Sequence, residues 1–249
     1  MRTVTATRYV TPLREGGSMP ALVEADDEGL YVVKLRGAGQ GPKALVAEIV
    51  VGELGRALGL PVPELVLVDL DPHLPDAEPD PEIQELLAAS AGINVGMDFL
   101  PGSLPYSPAG DIAVDPELAA RIVWLDALTE NVDRTARNVN MLIWHRELWL
   151  IDHGAALYRQ HAGFTPGSSR GGFAAIADHV LLPVASSILE ADAELAAKVD
   201  RALLDRVTGM VSENWLEGAA AIDYAEDLSA RMEQPRAWAA VAEEARGRA

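Results

Sequence analysis

The kinds of secondary-structure signal in this chain are segregated along its length, and that ordering constrains the fold more than any single residue does. Thr5 to Val10, Ala21 to Glu24, Leu30 to Leu35 and Leu65 to Leu70 are short, rich in Val, Leu and Tyr, and bounded by turn formers such as Gly16-Gly17 and Asp27-Glu28-Gly29. Only Pro42 to Leu58 interrupts them. It carries apolar residues at 45, 46, 49, 50, 54, 57 and 58, proline near its start and Gly59 just past its end, which predicts an amphipathic helix. An exposed loop rich in Pro and Asp, Asp71 to Pro81, leads to a short helix over Glu82 to Ala89 and a short run, Asn94 to Leu100, closed by Pro101-Gly102. Helices are then expected over Pro116 to Leu128, Asp178 to Leu189, Ala193 to Asn214, Tyr224 to Glu233 and Pro235 to Arg246. One β-hairpin breaks the series, Val139 to Trp144 and Leu148 to Ile151 around His145-Arg146-Glu147. A β-rich half therefore precedes a helix-rich half, the α+β pattern.

The length, 249 residues, suits one large domain or two small lobes sharing a cleft. With 49% hydrophobic and 23% charged residues the chain can bury a sizeable core. Twenty Lys and Arg against 38 Asp and Glu give a formal charge of −18, which argues against a nucleic-acid or anionic-membrane partner, since these are met by a cationic face. The absence of cysteine excludes disulfides, thiolate nucleophiles and Cys-ligated zinc together. No apolar stretch reaches the roughly 18 to 20 residues that cross a bilayer, and Met1 to Leu13 has no apolar block of signal-peptide type. A cytoplasmic location is the default expectation.

The residues richest in chemistry bracket the hairpin. The helix ending at Leu128 runs into Thr129-Glu130-Asn131-Val132-Asp133-Arg134-Thr135-Ala136-Arg137-Asn138, and the second strand is followed at once by Asp152-His153-Gly154. Asp133 and Asn138 are five apart on a loop, and Asp152 follows an apolar strand. Phosphoryl transfer from ATP needs this order. Its dense negative charge calls for magnesium held by hard oxygen ligands, and a separate carboxylate must face the attacking hydroxyl. In that template Asp133 orients or deprotonates the nucleophile, while Asn138 and Asp152 hold magnesium against the phosphates.

A cation on a strand of the β-rich half should complete the set. The chain has only three lysines, Lys34, Lys43 and Lys198, and Lys34 lies inside Tyr31-Val32-Val33-Lys34-Leu35, flanked by residues that favour burial. A buried ammonium needs an anionic partner. ATP phosphates and a helix glutamate supply two; Glu48 is the preferred glutamate and Glu53 the competitor that helical geometry leaves open. The turn Gly16-Gly17-Ser18 and the stretch Gly37-Ala38-Gly39-Gln40-Gly41 offer backbone N–H groups to phosphate oxygens, though neither is a G-x-G-x-x-G or Walker A sequence. The five histidines show no metal-binding spacing, and the five tryptophans read as core.

Taken together, Asn131 to Asn140, then Leu148-Trp149-Leu150-Ile151-Asp152-His153-Gly154-Ala155-Ala156-Leu157, with Tyr31-Val32-Val33-Lys34, Leu45-Val46-Ala47-Glu48 and Leu58-Gly59-Leu60-Pro61-Val62-Pro63 upstream, resemble the HipA-like kinase family, in particular its compact stand-alone branch. The resemblance spans most of residues 16 to 160. It implies a two-lobed protein-kinase-like fold, with a small β-rich N-lobe holding one helix over residues 1–100 and a larger helical C-lobe over 101–249. It also implies ATP with magnesium and phosphorylation of a hydroxyl, typically Ser or Thr of a protein. Gly96-Met97-Asp98-Phe99-Leu100 would form the hinge, whose backbone meets the adenine edge, and Ser18 would lie in the phosphate-covering loop, where longer relatives are regulated by phosphorylation. Thr135 stands where longer relatives often carry His.

The expectation is thus an ATP-dependent phosphotransferase in which Lys34, paired with Glu48, holds the α/β-phosphates and Arg134 either neutralises developing charge or is structural. The alternatives are a small-molecule kinase of aminoglycoside-phosphotransferase style, for which an acidic surface suits a cationic acceptor, and a nucleotide-binding pseudokinase scaffold.

Overall fold

The alternation of apolar and polar residues in the first hundred positions produces strands, and the strands close on themselves. A computed structural model describes residues 1–249 except 14–18, 39–40, 75–77, 164–169 and 217. Strands β1 (Thr3–Pro12), β2 (Ala21–Ala25), β3 (Leu30–Lys34), β4 (Leu65–Leu70) and β5 (Gly92–Asp98) form a closed barrel in the order β1-β2-β3-β5-β4. The expected β-rich lobe is therefore a barrel, shut by parallel pairing of Thr3 with Leu67 and Val4 with Val68. Register shifts between Ala6 and Arg8 and between Tyr9 and Thr11 curl the long β1, as bulges do. Val23, Val33, Val66 and Val68 fill the interior. Gly96 on β5 is required there, because a Cβ would stand 2.5 Å from a methyl of Val68.

Helix α1 (Gly41–Ala57) corrects the amphipathic expectation, since residues from Ala44 to Val51 are buried on every side. The barrel lies on one side of it, and on the other stand α6 (Arg201–Thr208) and the turn at Glu213–Trp215. A second helix, α2 (Pro81–Ala89), forms where a short one over Glu82 to Ala89 is expected, so this half has two helices where the resemblance implied one. Asp80 caps it by accepting from the Glu82 N–H.

The second half begins with β6 (Leu104–Pro105), which pairs with β7 (Met141–Trp144); β7 in turn pairs with β8 (Glu147–Leu150). Helix α3 (Pro116–Leu128) is capped by Asp115 and buried over most of its length. Helices α4 (Tyr158–Gly163), α5 (Ile188–Leu195), α7 (Ala221–Met232) and α8 (Ala237–Arg246) complete the described helices with α6. The expected helix over Asp178 to Leu189 does not form. His179 pairs instead with Thr135 as an isolated bridge, and Pro183 sits in a short 3-10 turn, Leu182–Val184, where it cannot donate to a longer ladder. The single helix expected over Ala193 to Asn214 is likewise broken. Asp200 turns its carboxylate onto the Leu203 N–H at 2.8 Å and starts α6 afresh.

Trp124, Trp215 and Trp238 are fully buried as expected, whereas Trp144 and Trp149 are half-buried and meet edge to face at 5.7 Å on the hairpin. Among the described residues no helix is long and apolar enough to cross a membrane.

Candidate active site

Two side chains 118 residues apart in the chain meet in the cleft between barrel and hairpin. On β3, Tyr31 and Val33 point into the barrel, so Val32 and Lys34 face the other way and line the cleft. The Lys34 ammonium donates to Glu48 Oε1 at 2.5 Å and to the Asp152 carboxylate. Glu53 stands elsewhere, 3.3 Å from Arg56 on the same helix. Glu48 is buried and also receives the His153 backbone N–H. Gly52, one turn further along α1, lets the helix come this close, since a Cβ there would stand 3.7 Å from the His153 ring and 2.5 Å from Leu65.

The electrostatics keep Lys34 and Asp152 charged. Burial lowers the Lys34 pKa, but Glu48 and Asp152 outweigh it and hold it above the usual lysine value. Burial raises Asp152, and Lys34 more than reverses this, so Asp152 stays ionised. Glu48 is pushed up by burial, an effect that Lys34 only partly offsets and Asp152 reinforces. Asp152 adopts a left-handed conformation, φ 54°, which turns its carboxylate off the strand line, and its side chain is 34% exposed. The cleft has a volume of 690 Å³, with Val32, Met97, Phe99, Leu142 and Ile151 among its walls.

Asp133 lies half-buried on the loop after α3. Its Oδ2 accepts from Asn138 Nδ2 at 2.8 Å and from Asn140 Nδ2 at 3.2 Å, and Asn140 also donates to the Asp133 carbonyl at 2.8 Å. Asn140 ties this loop to the Asp152 segment, because its own carbonyl accepts from Ile151 N–H at 3.1 Å. Asn138 is exposed, and with its amide nitrogen on Asp133 its oxygen points away as a hard donor.

Arg134 is buried. Its Nε donates to Asp126 Oδ2 at 2.6 Å, Nη1 reaches the carbonyls of Asn140 and Ile151, and Nη2 lies 3.3 Å from His153 Nδ1. Of its two expected roles it occupies the structural one. Its partners Asp126 and His153 escape sequence reading, as do Asn131, Asn140 and His179, which bonds to Asp126. One signal did exist, a lone carboxylate inside the apolar run Trp124-Leu125-Asp126-Ala127-Leu128, which needs a buried partner.

Gly16, Gly17 and Ser18 lie outside the described residues, as do Gly39 and Gln40. Met97, Asp98 and Phe99 line the cleft, but the Asp98 and Phe99 N–H groups already bond to the carbonyls of Glu64 and Leu30, at 2.9 and 3.0 Å. Those two donors are therefore taken within the protein.

The sequence matches the family described as HipA-like kinase over residues 7–234. The chain belongs to that family. This HipA-like kinase is accordingly a phosphotransferase, and its α+β architecture is that of its structural neighbour. Compared with the crystal structure of a Helicobacter pylori proinflammatory kinase, CtkA, it gives a TM-score of 0.60 at 13% identity, covering 97% of this chain and 96% of that one. At that identity the likeness speaks for the fold. No curated protein sequence matches.

The buried histidines make the stability of this HipA-like kinase sensitive to acid. Burial, reinforced by Arg134, pushes His153 down to about 3; burial and Lys43 push His161 down to about 4; burial also lowers His179. Below a pH of about 6.5 the unfolded chain binds protons that the folded one refuses, so stability present above that pH is lost as it falls. Each such histidine removes about 1.4 kcal/mol per pH unit inside its window. Melting temperature is expected to fall steadily from pH 6.5 to 5, with a shallower slope in His161→Phe.

Proposed function

We propose that this chain is an ATP- and magnesium-dependent phosphotransferase that moves the γ-phosphate to a hydroxyl, a serine or threonine of a protein. The observation that carries the reading is the Lys34 ammonium set between Glu48 and Asp152 in a 690 Å³ cleft, with the Asp133 loop tied to the Asp152 segment through Asn140.

Fit to magnesium rests on the donor set. Among the described residues no group of three or more His, Asp or Glu forms a cage. A magnesium ion bound with a nucleotide needs only one or two protein carboxylates and keeps its other positions for phosphate and water. Asp152 and the amide oxygen of Asn138 are suitable donors. When bound, the ion neutralises charge on the β- and γ-phosphates.

The chain's own residues do the rest. Lys34, kept cationic by its two carboxylates, is placed to hold the α/β-phosphates while Glu48 fixes its direction. Asp133, with Oδ2 engaged by two amides, keeps Oδ1 to accept a hydrogen bond from the acceptor hydroxyl. As that oxygen bonds to the γ-phosphorus, the bond to the bridging oxygen breaks and ADP departs with the electron pair. The acceptor proton passes to Asp133 or to solvent. Positioning and electrostatics supply the acceleration, with no covalent enzyme intermediate.

The test is transfer of labelled γ-phosphate from Mg·ATP to lysate proteins and, in parallel, to an aminoglycoside and sugar panel. Label on protein serine or threonine is the expected result, and label on the small molecules alone would overturn the acceptor assignment. Glu48→Gln is expected to lower turnover by about 10²-fold, because Lys34 loses its orienting charge. Glu53→Gln, which loses the ion pair with Arg56, should stay within about 2-fold.

A further inference from the structure

Asp126 contacts neither the cleft nor Lys34, yet its carboxylate joins every segment that carries a proposed catalytic group of the C-terminal half. It stands on the last turn of α3 with no exposed surface. Oδ1 accepts from Asn131 Nδ2 at 3.0 Å, and Asn131 Oδ1 in turn accepts from the Asp133 N–H at 3.0 Å. Oδ2 accepts from Arg134 Nε, and the Arg134 guanidinium continues to the carbonyls of Asn140 and Ile151 and to the ring of His153. Ile151 and His153 flank Asp152. From one carboxylate, then, a single intervening side chain leads to Asp133 and another leads to both neighbours of Asp152.

A third arm reaches the downstream segment. His179 Nδ1 accepts from the Leu181 N–H at 3.1 Å, so its proton is on Nε2, which donates to Asp126 Oδ2 at 2.9 Å. Val180 N–H bonds to the Arg134 carbonyl at 3.0 Å, and Thr135 bridges His179, so this segment lies along the Asp133 loop. The alternative is a network that merely supports the core. A core would be served as well by apolar residues of the same volume, because replacing a buried ion pair in that way is often neutral or stabilising. What apolar residues cannot do is hold two backbone carbonyls, an amide and an imidazole at fixed directions.

We propose that Asp126 is a positioning residue for phosphate transfer: through Asn131 it sets the Asp133 loop, through Arg134 the Asp152 segment, and through His179 the segment beside them. This rests on the phosphotransferase reading above. Asp126→Asn alone leaves Arg134 buried without its counter-charge and risks unfolding. The decisive variant is therefore Asp126→Leu/Arg134→Met, which removes both charges. It is expected to fold with a lowered melting temperature, because Asn131, His179, His153 and the Asn140 and Ile151 carbonyls each lose a partner while no buried charge is left unpaired. Its kcat with Mg·ATP is expected to fall by roughly 10²-fold, as a misplacement of about 1 Å would cause, with KM for Mg·ATP changed less than about 3-fold. In nucleotide-free protein, amide hydrogen exchange over 131–140 and 150–154 should quicken by about 10-fold while the barrel is unchanged.

A double variant that folds, turns over within about 3-fold of wild type and shows unchanged exchange overturns the proposal. Should it fail to fold, Arg134→Lys takes its place, keeping the charge and losing the fork that reaches both carbonyls. The same pattern in kcat and exchange then supports the proposal. If neither variant folds, the network belongs to the fold alone and the proposal fails. A wild type that transfers phosphate to no acceptor would overturn the phosphotransferase reading instead, and the exchange comparison would still decide whether Asp126 orders the two loops.

Discussion

Asp133→Ala is expected to lower phosphate transfer from Mg·ATP by about 10³-fold while leaving nucleotide affinity and melting temperature close to wild type. The expectation follows from how this carboxylate is held. It is half-buried, its partners are the amides of Asn138 and Asn140, and among the described residues no buried cation depends on it. Removing it therefore strands no charge, in contrast to Asp126 or Glu48. What disappears is the acceptor-facing oxygen, a loss felt in the chemical step and not in ground-state binding. Single-turnover rates and the equilibrium affinity for Mg·ATP, measured on the same preparation, separate the two. A variant that keeps a tenth or more of wild-type transfer would place the hydroxyl-orienting group elsewhere.

Asp152→Ala should act on the opposite quantity. Its carboxylate meets the Lys34 ammonium and is partly open to the cleft, so the variant is expected to weaken Mg·ATP binding by about 10²-fold, the upper end of what even an indirect partner of a bound metal costs. The control is ATP with the metal chelated, which should bind wild type and variant alike, since Lys34 keeps Glu48 and its charge. Titrating magnesium at fixed nucleotide reads the effect directly. If affinity still rises with magnesium in the variant as it does in wild type, the metal assignment at this position is wrong.

Local chemistry made part of this site legible in advance. Asp133, Asn138 and Asp152 announce themselves by spacing around a hairpin, and Lys34 by the apolar residues on either side of it, because each signal lies within a few residues. The choice between Glu48 and Glu53 does not, since both sit on one helix and only the approach of α1 to β3 selects the first. Nor does anything in Gly96 to Leu100 say that the Asp98 and Phe99 N–H groups will be taken by Glu64 and Leu30.

The helices show the same division. Pro116 to Leu128 emerged with the bounds its caps and apolar run predict, whereas Asp178 to Leu189 gave way to the pairing of His179 with Thr135, a partner 44 residues away. What the amino-acid order alone determined is the passage from a β-rich to a helix-rich half and the candidate reacting groups, properties of short windows, and, from composition, the absence of cysteine chemistry. Tertiary structure decided the closure of the barrel, the burial of α1 and the Asp126 network. Each depends on which distant segments meet, and a charge can remain in the interior only where such a meeting supplies its counter-charge.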